Sequence, residues 1–263
     1  MTALTGSGTD KADTAVLTEA VRLVGVSKHF AKDQGAPVLD GIDLTVAAGE
    51  FVCLLGASGC GKSTLLNLIA GLDQASSGQV SVPAGRAALM FQESALFPWL
   101  SAGRNIELAL RLAGVPRAER RPETDRLLEL VRLDGAYNKR VHELSGGMRQ
   151  RVALARALAQ KAQVLLMDEP FAALDAITRD VLHEELTSLW QKTGVAIVFV
   201  THNVREAVRL GQRVILLSSR PGRIVREWQV AIDQPRRIED QPVADLAREI
   251  TDQLHREISR HGK

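Results

Sequence analysis

The sequence contains no long hydrophobic run. Across its 263 residues, no apolar stretch approaches the roughly 20 residues that a membrane-spanning helix requires. Residues 1–20 lack the basic and apolar regions of a signal peptide, and they are small, polar and aperiodic. We therefore expect a cytosolic protein without a membrane span, in which residues 1–20 form a disordered lead-in.

Cysteine and net charge are scarce as well. The two cysteines, Cys53 and Cys60, are too few for a disulfide framework and suit a reducing compartment. The formal net charge of +2 is too small to indicate a nucleic-acid partner. The arginine pairs at 120–121 and 236–237 are interleaved with acidic residues, so we expect them on the solvated surface. These shortages argue against a disulfide-stapled domain and against a nucleic-acid-binding protein.

What the sequence does contain is a pattern of buried strands between helices. Continuous apolar runs at residues 51–55, 164–167 and 195–200 are typical of parallel strands covered on both faces. Residues 21–30 and 42–46 alternate apolar and polar residues, as antiparallel strands with one solvated face do. These patterns predict an α/β fold. Further elements are expected as helices at residues 63–70 and 204–210, and as a hairpin at residues 214–217 and 224–230 that turns at Pro221-Gly222.

The pattern changes to helical between residues 94 and 144. Leucines in this region are spaced for amphipathic faces, and Pro98, Pro116 and Pro122 stand at expected helix boundaries. We therefore expect a helical insertion in the α/β core. A last amphipathic helix is expected within residues 235–263, with one apolar face made of Val243, Leu246, Ala247, Ile250, Leu254 and Ile258.

A glycine-rich segment, residues 56–63, matches the phosphate-loop pattern GxxxxGK[ST] at every fixed position. It follows a predicted strand and opens a predicted helix, which is the context that distinguishes a phosphate loop from an ordinary glycine-rich turn. Lys62 would place a positive charge on the β and γ phosphates of ATP, and Ser63 would offer its hydroxyl to Mg²⁺. The candidate ATP-binding residues here are Gly56, Ala57, Ser58, Gly59, Cys60, Gly61, Lys62, Ser63 and Thr64.

Two adjacent carboxylates, Asp168 and Glu169, follow the apolar run 164–167. Asp168 would hold Mg²⁺ through water, and Glu169 would orient or deprotonate the water that attacks the γ-phosphoryl group. The alternative is a solvated acidic turn. In an open α/β sheet, ligands bind at the carboxyl ends of the strands, so Gly56, Asp168 and His202 are expected to converge on one crevice.

A second anion-binding surface is predicted at residues 144–148, which read Leu-Ser-Gly-Gly-Met. A serine followed by two glycines exposes several backbone N–H groups at the start of a predicted helix. Ser145 is also a good N-cap for that helix, and the two interpretations are compatible. One chain therefore carries two phosphate-binding segments.

The order of these motifs resembles the ATP-binding subunit of an ABC transporter over residues 21–230. The resemblance rests on the phosphate loop, Gln92, residues 144–148, Asp168-Glu169, Leu174-Asp175 and His202. It implies an α/β fold with a P-loop NTPase (RecA-like) core, a small antiparallel β subdomain and an inserted helical subdomain. The implied domains are the lead-in at 1–20, the nucleotide-binding core at 21–93 and 145–234, the helical signature subdomain at 94–144 and the C-terminal amphipathic helix at 235–263.

The resemblance also implies the residues that surround bound ATP. Phe30 matches the aromatic residue that stacks on adenine; the alternative is a core aromatic. Gln92 matches the glutamine that touches Mg²⁺ and the attacking water and senses the membrane partner. His202 matches the histidine that holds the γ-phosphate and helps to position the water and Glu169, whereas an isolated histidine would be a structural residue.

Two further segments are implied to act across a head-to-tail dimer with two ATP molecules between its subunits. Ser145, Gly146 and Gly147 match the signature that closes over the γ-phosphate bound to the other subunit. Asp175 matches an aspartate that communicates across the dimer, although Ala173 stands where relatives commonly have serine. The dimer partner is a second copy of the chain or another ABC subunit.

The apolar residues after Gln92 are the implied contact with a separate membrane permease. Phe97, Pro98, Trp99 and Leu100 fall where the family docks a cytoplasmic coupling helix; the alternative is ordinary core packing. The resemblance thus implies a peripheral protein on the cytoplasmic face of the inner membrane, with an indirect link to a solute-binding protein.

Three details resemble importers of nitrate, sulfonates, taurine and related small solutes. They are the run Leu-Phe-Pro-Trp-Leu at 96–100, the segment 218–224, and the short length of about 30 residues after Val230, which leaves no room for a regulatory domain. The expected function is ATP hydrolysis that drives uptake. The alternatives are a separate-subunit exporter ATPase and a soluble ABC ATPase such as a cofactor-assembly scaffold.

Overall fold

The computed structural model describes residues 19–30, 36–82 and 85–261. The elements in these residues are, in chain order, β1 (Glu19–His29), β2 (Pro37–Ala47), β3 (Phe51–Leu55), α1 (Lys62–Ile69), β4 (Ser77–Ser81), β5 (Ala87–Met90), α2 (Ala102–Leu112), α3 (Arg117–Leu130), α4 (Gly146–Leu158), β6 (Val164–Asp168), α5 (Ala176–Thr193), β7 (Ala196–Val200), α6 (Val204–Leu210), β8 (Arg213–Leu217), β9 (Ile224–Gln229) and α7 (Gln241–His261).

The expected lead-in at residues 1–20 falls mostly outside the described residues, which begin at Glu19. Its last two residues were assigned wrongly. Glu19 and Ala20 belong to β1, because Glu19 pairs with Ala47 of β2 and the side chain of Ala20 is buried under the sheet.

The described strands form two sheets. In the larger sheet the order is β5-β6-β7-β3-β8-β9; its neighbouring strands are parallel except for the antiparallel pair β8 and β9. The smaller sheet is antiparallel, in the order β2-β1-β4. This architecture confirms the predicted combination of a parallel α/β core and a small antiparallel sheet.

Strand β3 lies between two hydrophobic cores, which explains why its sequence is apolar throughout. Phe51, Cys53 and Leu55 face a core shared with α4 to α7 and with the helices after β5. Val52 and Leu54 face the opposite core, which contains α1 and the antiparallel sheet. Because successive side chains of a strand point to opposite faces, a strand with two covered faces needs an apolar residue at every position.

The chain that connects β5 to β6 forms α2, α3 and α4. Of these, α2 and α3 fall within the region expected to be helical. Pro116 stands at the predicted boundary, where it is the N-cap of α3. Pro122 was assigned wrongly, since it lies inside α3 rather than at an end. The helix loses one hydrogen-bond donor there, and the ion pairs Arg121–Asp125 and Arg126–Glu123 flank the proline on its exposed surface. No helix among the described residues is long and apolar enough to cross a membrane.

The last helix, α7, packs against α6 and begins later than expected. Residues 235–240 form turns, and the helix starts at Gln241, so that Pro242 occupies its first turn, where a missing N–H costs nothing. Val243 and Ile250 are fully buried, as the amphipathic pattern predicts. Ile258 was assigned wrongly to the buried face, because it is 44% exposed, whereas the adjacent Glu257 is buried.

Arg236 was expected on the solvated surface, and this prediction is wrong. Its side chain is buried, and its guanidinium donates to the backbone carbonyl oxygens of Val208, Gly211, Val230 and Ile232 at 2.6–3.1 Å. Burial lowers the pKa of this guanidinium from its ordinary value. The five N–H donors of arginine suit this role, because they satisfy carbonyl groups from two segments, the end of α6 and the stretch after β9. Its neighbour Arg237 is exposed, as predicted.

Candidate active site

The phosphate loop connects the carboxyl end of β3 to the start of α1. Lys62, the first residue of α1, is buried, and its Nζ donates to the carbonyl oxygens of Gly56 at 2.9 Å and Ala57 at 3.0 Å. Gly61 has a φ of +102°, and a Cβ on it would lie 2.6 Å from Cδ2 of Leu39. Only glycine fits this position, because a side chain would collide with Leu39 and L residues rarely adopt this φ.

A cavity of about 410 Å³ opens in front of this loop. That volume is within the range of pockets that hold small-molecule ligands. Half of the predicted site residues line it, together with Val38: the lining is Val38, Ser58, Gly59, Gly61, Lys62, Ser63, Thr64, Gln92, Asp168 and Glu169. Gly56, Ala57 and Cys60 do not line it, and Cys60 is buried behind the loop.

Burial also affects the chemistry of Cys60. It raises the pKa of the thiol, although the nearby Lys62 ammonium acts in the opposite direction. Cys53, which is fully buried in β3, has a pKa raised well above its ordinary value for the same reason. Both cysteines are free, as the sequence predicts.

The donor set in the cavity fits a Mg²⁺ ion. The side chains of Ser63, Gln92 and Asp168 offer a hydroxyl, an amide oxygen and a carboxylate, and all three line the same space. Mg²⁺ prefers such hard oxygen ligands and retains several waters in sites with few protein carboxylates.

Glu169 stands at the edge of the cavity in an uncommon backbone conformation. Its φ is +44°, a left-handed value that costs a residue with a side chain on the order of 1–3 kcal/mol. Its N–H donates to the carbonyl of Val200 at 3.0 Å, which anchors it to the neighbouring strand. The Nδ1 of His202 lies 2.9 Å from its Oε2. The structure thus brings Glu169 and His202 together at the strand ends. The expected convergence of Gly56, Asp168 and His202 on one crevice is incomplete, because Asp168 lines the phosphate-loop cavity whereas Gly56 and His202 do not.

His202 is not a buried structural histidine. Its side chain is 67% exposed, so the alternative in which it merely satisfies the core is wrong.

The second predicted phosphate binder, the signature turn at residues 145–147, does not line the cavity of its own chain. Ser145 is exposed, and its Oγ accepts from the N–H of Met148 at 3.2 Å as the N-cap of α4. A Cβ on Gly147 would lie 2.7 Å from Cγ2 of Thr178, so glycine allows α4 to approach α5 closely. Residues 145–147 are therefore separate from the phosphate-loop cavity of the same chain.

Asp175 lies next to the signature turn through Thr178. Its carboxylate caps α5 by accepting from the N–H of Thr178 at 3.0 Å and from the Thr178 hydroxyl at 2.7 Å. These two hydrogen bonds lower the pKa of Asp175 from its ordinary value.

Two contacts that the sequence did not suggest connect these segments. Gln150 of α4 donates to the carbonyl oxygen of Gln92 at 2.9 Å, which joins the cavity to the helix behind the signature turn. Arg179 of α5 donates to the carbonyl oxygens of Phe171 and Leu174 at 3.3 and 2.7 Å, which holds the loop between Glu169 and Asp175. Their sequence signal is weak, because a polar residue inside a helix normally faces solvent.

Phe30 and the segment after Gln92 are exposed rather than packed in the core. The Phe30 ring is 39% exposed with the Nζ of Lys28 at 4.9 Å from its centroid, and it does not line the cavity. Trp99 is 67% exposed, and its ring lies 5.3 Å from that of Phe97. Buried Asn105 holds this segment by accepting from the N–H of Phe97 at 2.9 Å. Ordinary core packing is therefore the wrong interpretation for all three aromatic residues.

Comparison with known protein families and curated proteins gives consistent matches. The family model described as ABC transporter matches residues 39–172. The chain is 46% identical over 211 residues to the taurine import ATP-binding protein TauB of Mesorhizobium japonicum, covering 78% of this chain and 82% of the relative. It is 41% identical over 249 residues to the nitrate import ATP-binding protein NrtD of Synechococcus elongatus, covering 89% and 91%.

Solved structures give the same match at the level of the fold. An ATP-binding cassette solved as a dimer in a post-hydrolysis state, bound to ADP and Pi, is 32% identical, with a TM-score of 0.71 over 81% of this chain and 100% of that chain. The cbiO1 protein of Clostridium perfringens has a TM-score of 0.74, with 93% of this chain and 98% of that chain covered. At 22% identity it supports the fold alone.

Proposed function

The chain belongs to the ABC transporter family of ATP-binding proteins, and from that premise we propose that it is the ATP-hydrolysing subunit of an importer for a small solute. The observation that carries the catalytic part is the contact of 2.9 Å between Glu169 and His202 at the edge of the phosphate-loop cavity. A carboxylate and an imidazole in contact beside a phosphate-binding lysine are suited to position water against a phosphoryl group.

In the proposed reaction, the phosphate loop binds ATP and Lys62 places its charge on the β and γ phosphates. Ser63, Gln92 and Asp168 would hold Mg²⁺, which would neutralise negative charge on the phosphate oxygens. Glu169 orients the attacking water and accepts its proton, while the oxygen forms a bond to the γ-phosphorus and the bond to the ADP oxygen breaks. His202 holds Glu169 and the γ-phosphate, and Phe30 stacks on adenine.

A second subunit completes each site in this proposal. The signature turn of Ser145, Gly146 and Gly147 does not line the cavity of its own chain, and the cassette that is 32% identical to this chain was solved as a dimer. We therefore place the turn over the γ-phosphate held by Lys62 of a partner subunit, where its N–H groups bind anionic oxygens. Asp175, close to the turn through Thr178, is placed at the same interface.

The transport partner and the solute follow from the relatives and from one exposed patch. The relatives are named for import of taurine and nitrate, two small solutes with anionic oxygens, and we propose a solute of that kind. Phe97, Pro98, Trp99 and Leu100 form the proposed contact with a separate permease, because exposed aromatic rings favour a protein partner. The chain would then sit on the cytoplasmic face of the membrane, with a solute-binding protein on the other side.

Replacement of Glu169 by Gln tests the catalytic role. We expect kcat for ATP hydrolysis to fall at least about 100-fold, equivalent to about 2.7 kcal/mol of barrier, while the Kd for ATP changes little. The matched control is Glu184→Gln, which removes an exposed carboxylate of α5 outside the cavity. Turnover near the wild-type rate in Glu169→Gln would remove Glu169 from this role.

Co-purification from detergent-solubilised membranes tests the transport role. We expect the chain to retain a permease, and Trp99→Ala to weaken that association without changing the ATPase rate of the isolated chain. Leu72→Ala removes a similarly exposed apolar side chain elsewhere and serves as the control. A chain that binds no membrane protein would instead favour the assembly-scaffold alternative, and solute efflux from reconstituted vesicles would favour the exporter.

A further inference from the structure

The position of the His202 ring depends on its backbone. The side chain is 67% exposed, and within the part of the chain that the structure describes its hydrogen-bond partner is Glu169. An exposed ring with one hydrogen bond has several rotamers available, so the turn that carries it has to supply the precision.

A buried polar cluster lies directly behind this turn and consists of Thr201, Glu206 and His183. All three side chains are buried. Glu206, in the first turn of α6, accepts from the Thr201 hydroxyl through Oε2, and its Oε1 lies 2.6 Å from Nε2 of His183 in α5. A carboxylate without a proton only accepts hydrogen bonds, so this arrangement requires the hydrogen of His183 on Nε2.

The cluster controls the backbone on both sides of His202. The Thr201 hydroxyl also accepts from the N–H of Asn203 at 3.0 Å, and the N–H of Thr201 donates to the carbonyl of Leu54 at 3.2 Å. Asn203 in turn accepts through Oδ1 from the N–H of Glu206 at 3.3 Å. The residues on both sides of His202 are therefore anchored, Asn203 by the Thr201 hydroxyl and Thr201 by Leu54, although His202 itself is exposed.

The same cluster connects this turn to the loop that carries Glu169. The ring of Phe171, two residues after Glu169, lies edge-on to the ring of His183 at 5.6 Å. A small cavity of about 40 Å³ between the two segments is lined in part by Glu169, Phe171, Thr201 and Glu206. The cluster thus packs against both segments that meet at the Glu169–His202 contact.

We propose that Glu206, held by His183 and Thr201, is a positioning residue for ATP hydrolysis that sets His202 against Glu169. This inference rests on the proposed roles of those two residues. Without a donor from His183, the buried carboxylate of Glu206 loses a partner and has to rearrange, and the Thr201–Asn203 turn moves with it.

His183→Leu and His183→Gln form the central test. Leucine removes the donor, and we expect kcat to fall about tenfold while the KM for ATP stays within about twofold, because the phosphate loop is untouched. Glutamine restores an N–H donor near the position of Nε2, and we expect at least half of the wild-type kcat. The control is Thr124→Val, which removes another buried polar atom in α3, far from the turn in sequence and structure, and should leave kcat unchanged.

A second pair of variants covers the case in which His183→Leu does not fold. Thr201→Val removes the hydroxyl at constant shape and should lower kcat in the same way, whereas Thr201→Ser keeps the hydroxyl and should restore it. Wild-type kcat in folded His183→Leu or Thr201→Val, or equal losses with glutamine and leucine, would overturn the inference.

The same substitutions in a His202→Ala background distinguish the positioning role of Glu206 from the proposed role of His202 itself. If Glu206 acts through His202, His183→Leu should slow the His202→Ala enzyme no further. A full tenfold additional loss would overturn the positioning role. Wild-type turnover in His202→Ala itself would instead contradict the proposed role of His202, which is a distinguishable failure.

Discussion

The phosphate loop and the signature turn are both glycine-containing segments at the start of a helix, yet they are built in opposite ways. In the loop, Lys62 and Cys60 are buried, and the backbone of Gly61 packs closely against the side chain of Leu39. The turn combines an exposed Ser145 with a buried Gly147, and none of its three residues lines the cavity of its own chain. In the proposed function, the loop binds phosphate within one molecule, whereas the turn does so only beside a second molecule.

Ser145→Arg tests the signature turn in this comparison and carries the largest expected effect. A long cation at the N-cap blocks the approach of a second subunit, so we expect ATP turnover to fall at least about 100-fold. Binding of ATP to the loop of the same chain should stay within about twofold, measured by calorimetry. Ser259→Arg, an exposed position on α7, is the control. A fully active Ser145→Arg chain would refute the proposed interface.

Lys62→Ala tests the phosphate loop, with a smaller expected effect. Loss of one charge-assisted contact to phosphate costs about 2 kcal/mol, so the Kd for ATP should rise about 30-fold. Lys192→Ala, on the exposed end of α5, should leave the Kd unchanged. Unchanged affinity in Lys62→Ala would contradict the assignment of the phosphate loop.

Alkylation rates compare the two segments directly and give the smallest effect. Burial raises the pKa of Cys60, so less thiolate is present at a given pH and the buried sulfur is also hard to reach. A cysteine introduced by Ser145→Cys is exposed at a helix N-terminus, which favours the thiolate. At pH 8 we expect it to react with iodoacetamide at least about tenfold faster than Cys60. Equal rates would show that the loop is as open as the turn.

Local patterns predicted the parts of the fold that depend on local chemistry. The strand β3 was recognisable because its two covered faces require apolar residues throughout. The phosphate-loop residues were recognisable because close wrapping of a phosphate requires glycine and lysine at fixed spacing. The strands β4 and β5 were missed: β4 is a mostly exposed strand of polar residues, and β5 has four residues, too few for a period to appear.

Long-range polar contacts account for the rest of the differences. Arg236 is buried because its guanidinium bonds to four backbone carbonyl groups. The residues next to it in the sequence give no sign of these partners. His183 and Glu206 lie 23 residues apart, and only the packing of α5 against α6 brings them together. Sequence periodicity describes one element at a time, so a pair whose partners lie on different elements leaves no pattern.

The buried Arg236 has a consequence for the order in which the molecule is completed. Helix α6, which follows His202 directly, ends in carbonyl groups of Val208 and Gly211 that bond to the Arg236 guanidinium. During synthesis these groups leave the ribosome before their partner does, because chains emerge from the amino end. Until Arg236 follows, these carbonyl groups lack the partner that they have in the folded chain. The end of the helix that follows His202 is therefore completed from the carboxyl-terminal side, after the phosphate loop and Glu169 have been made.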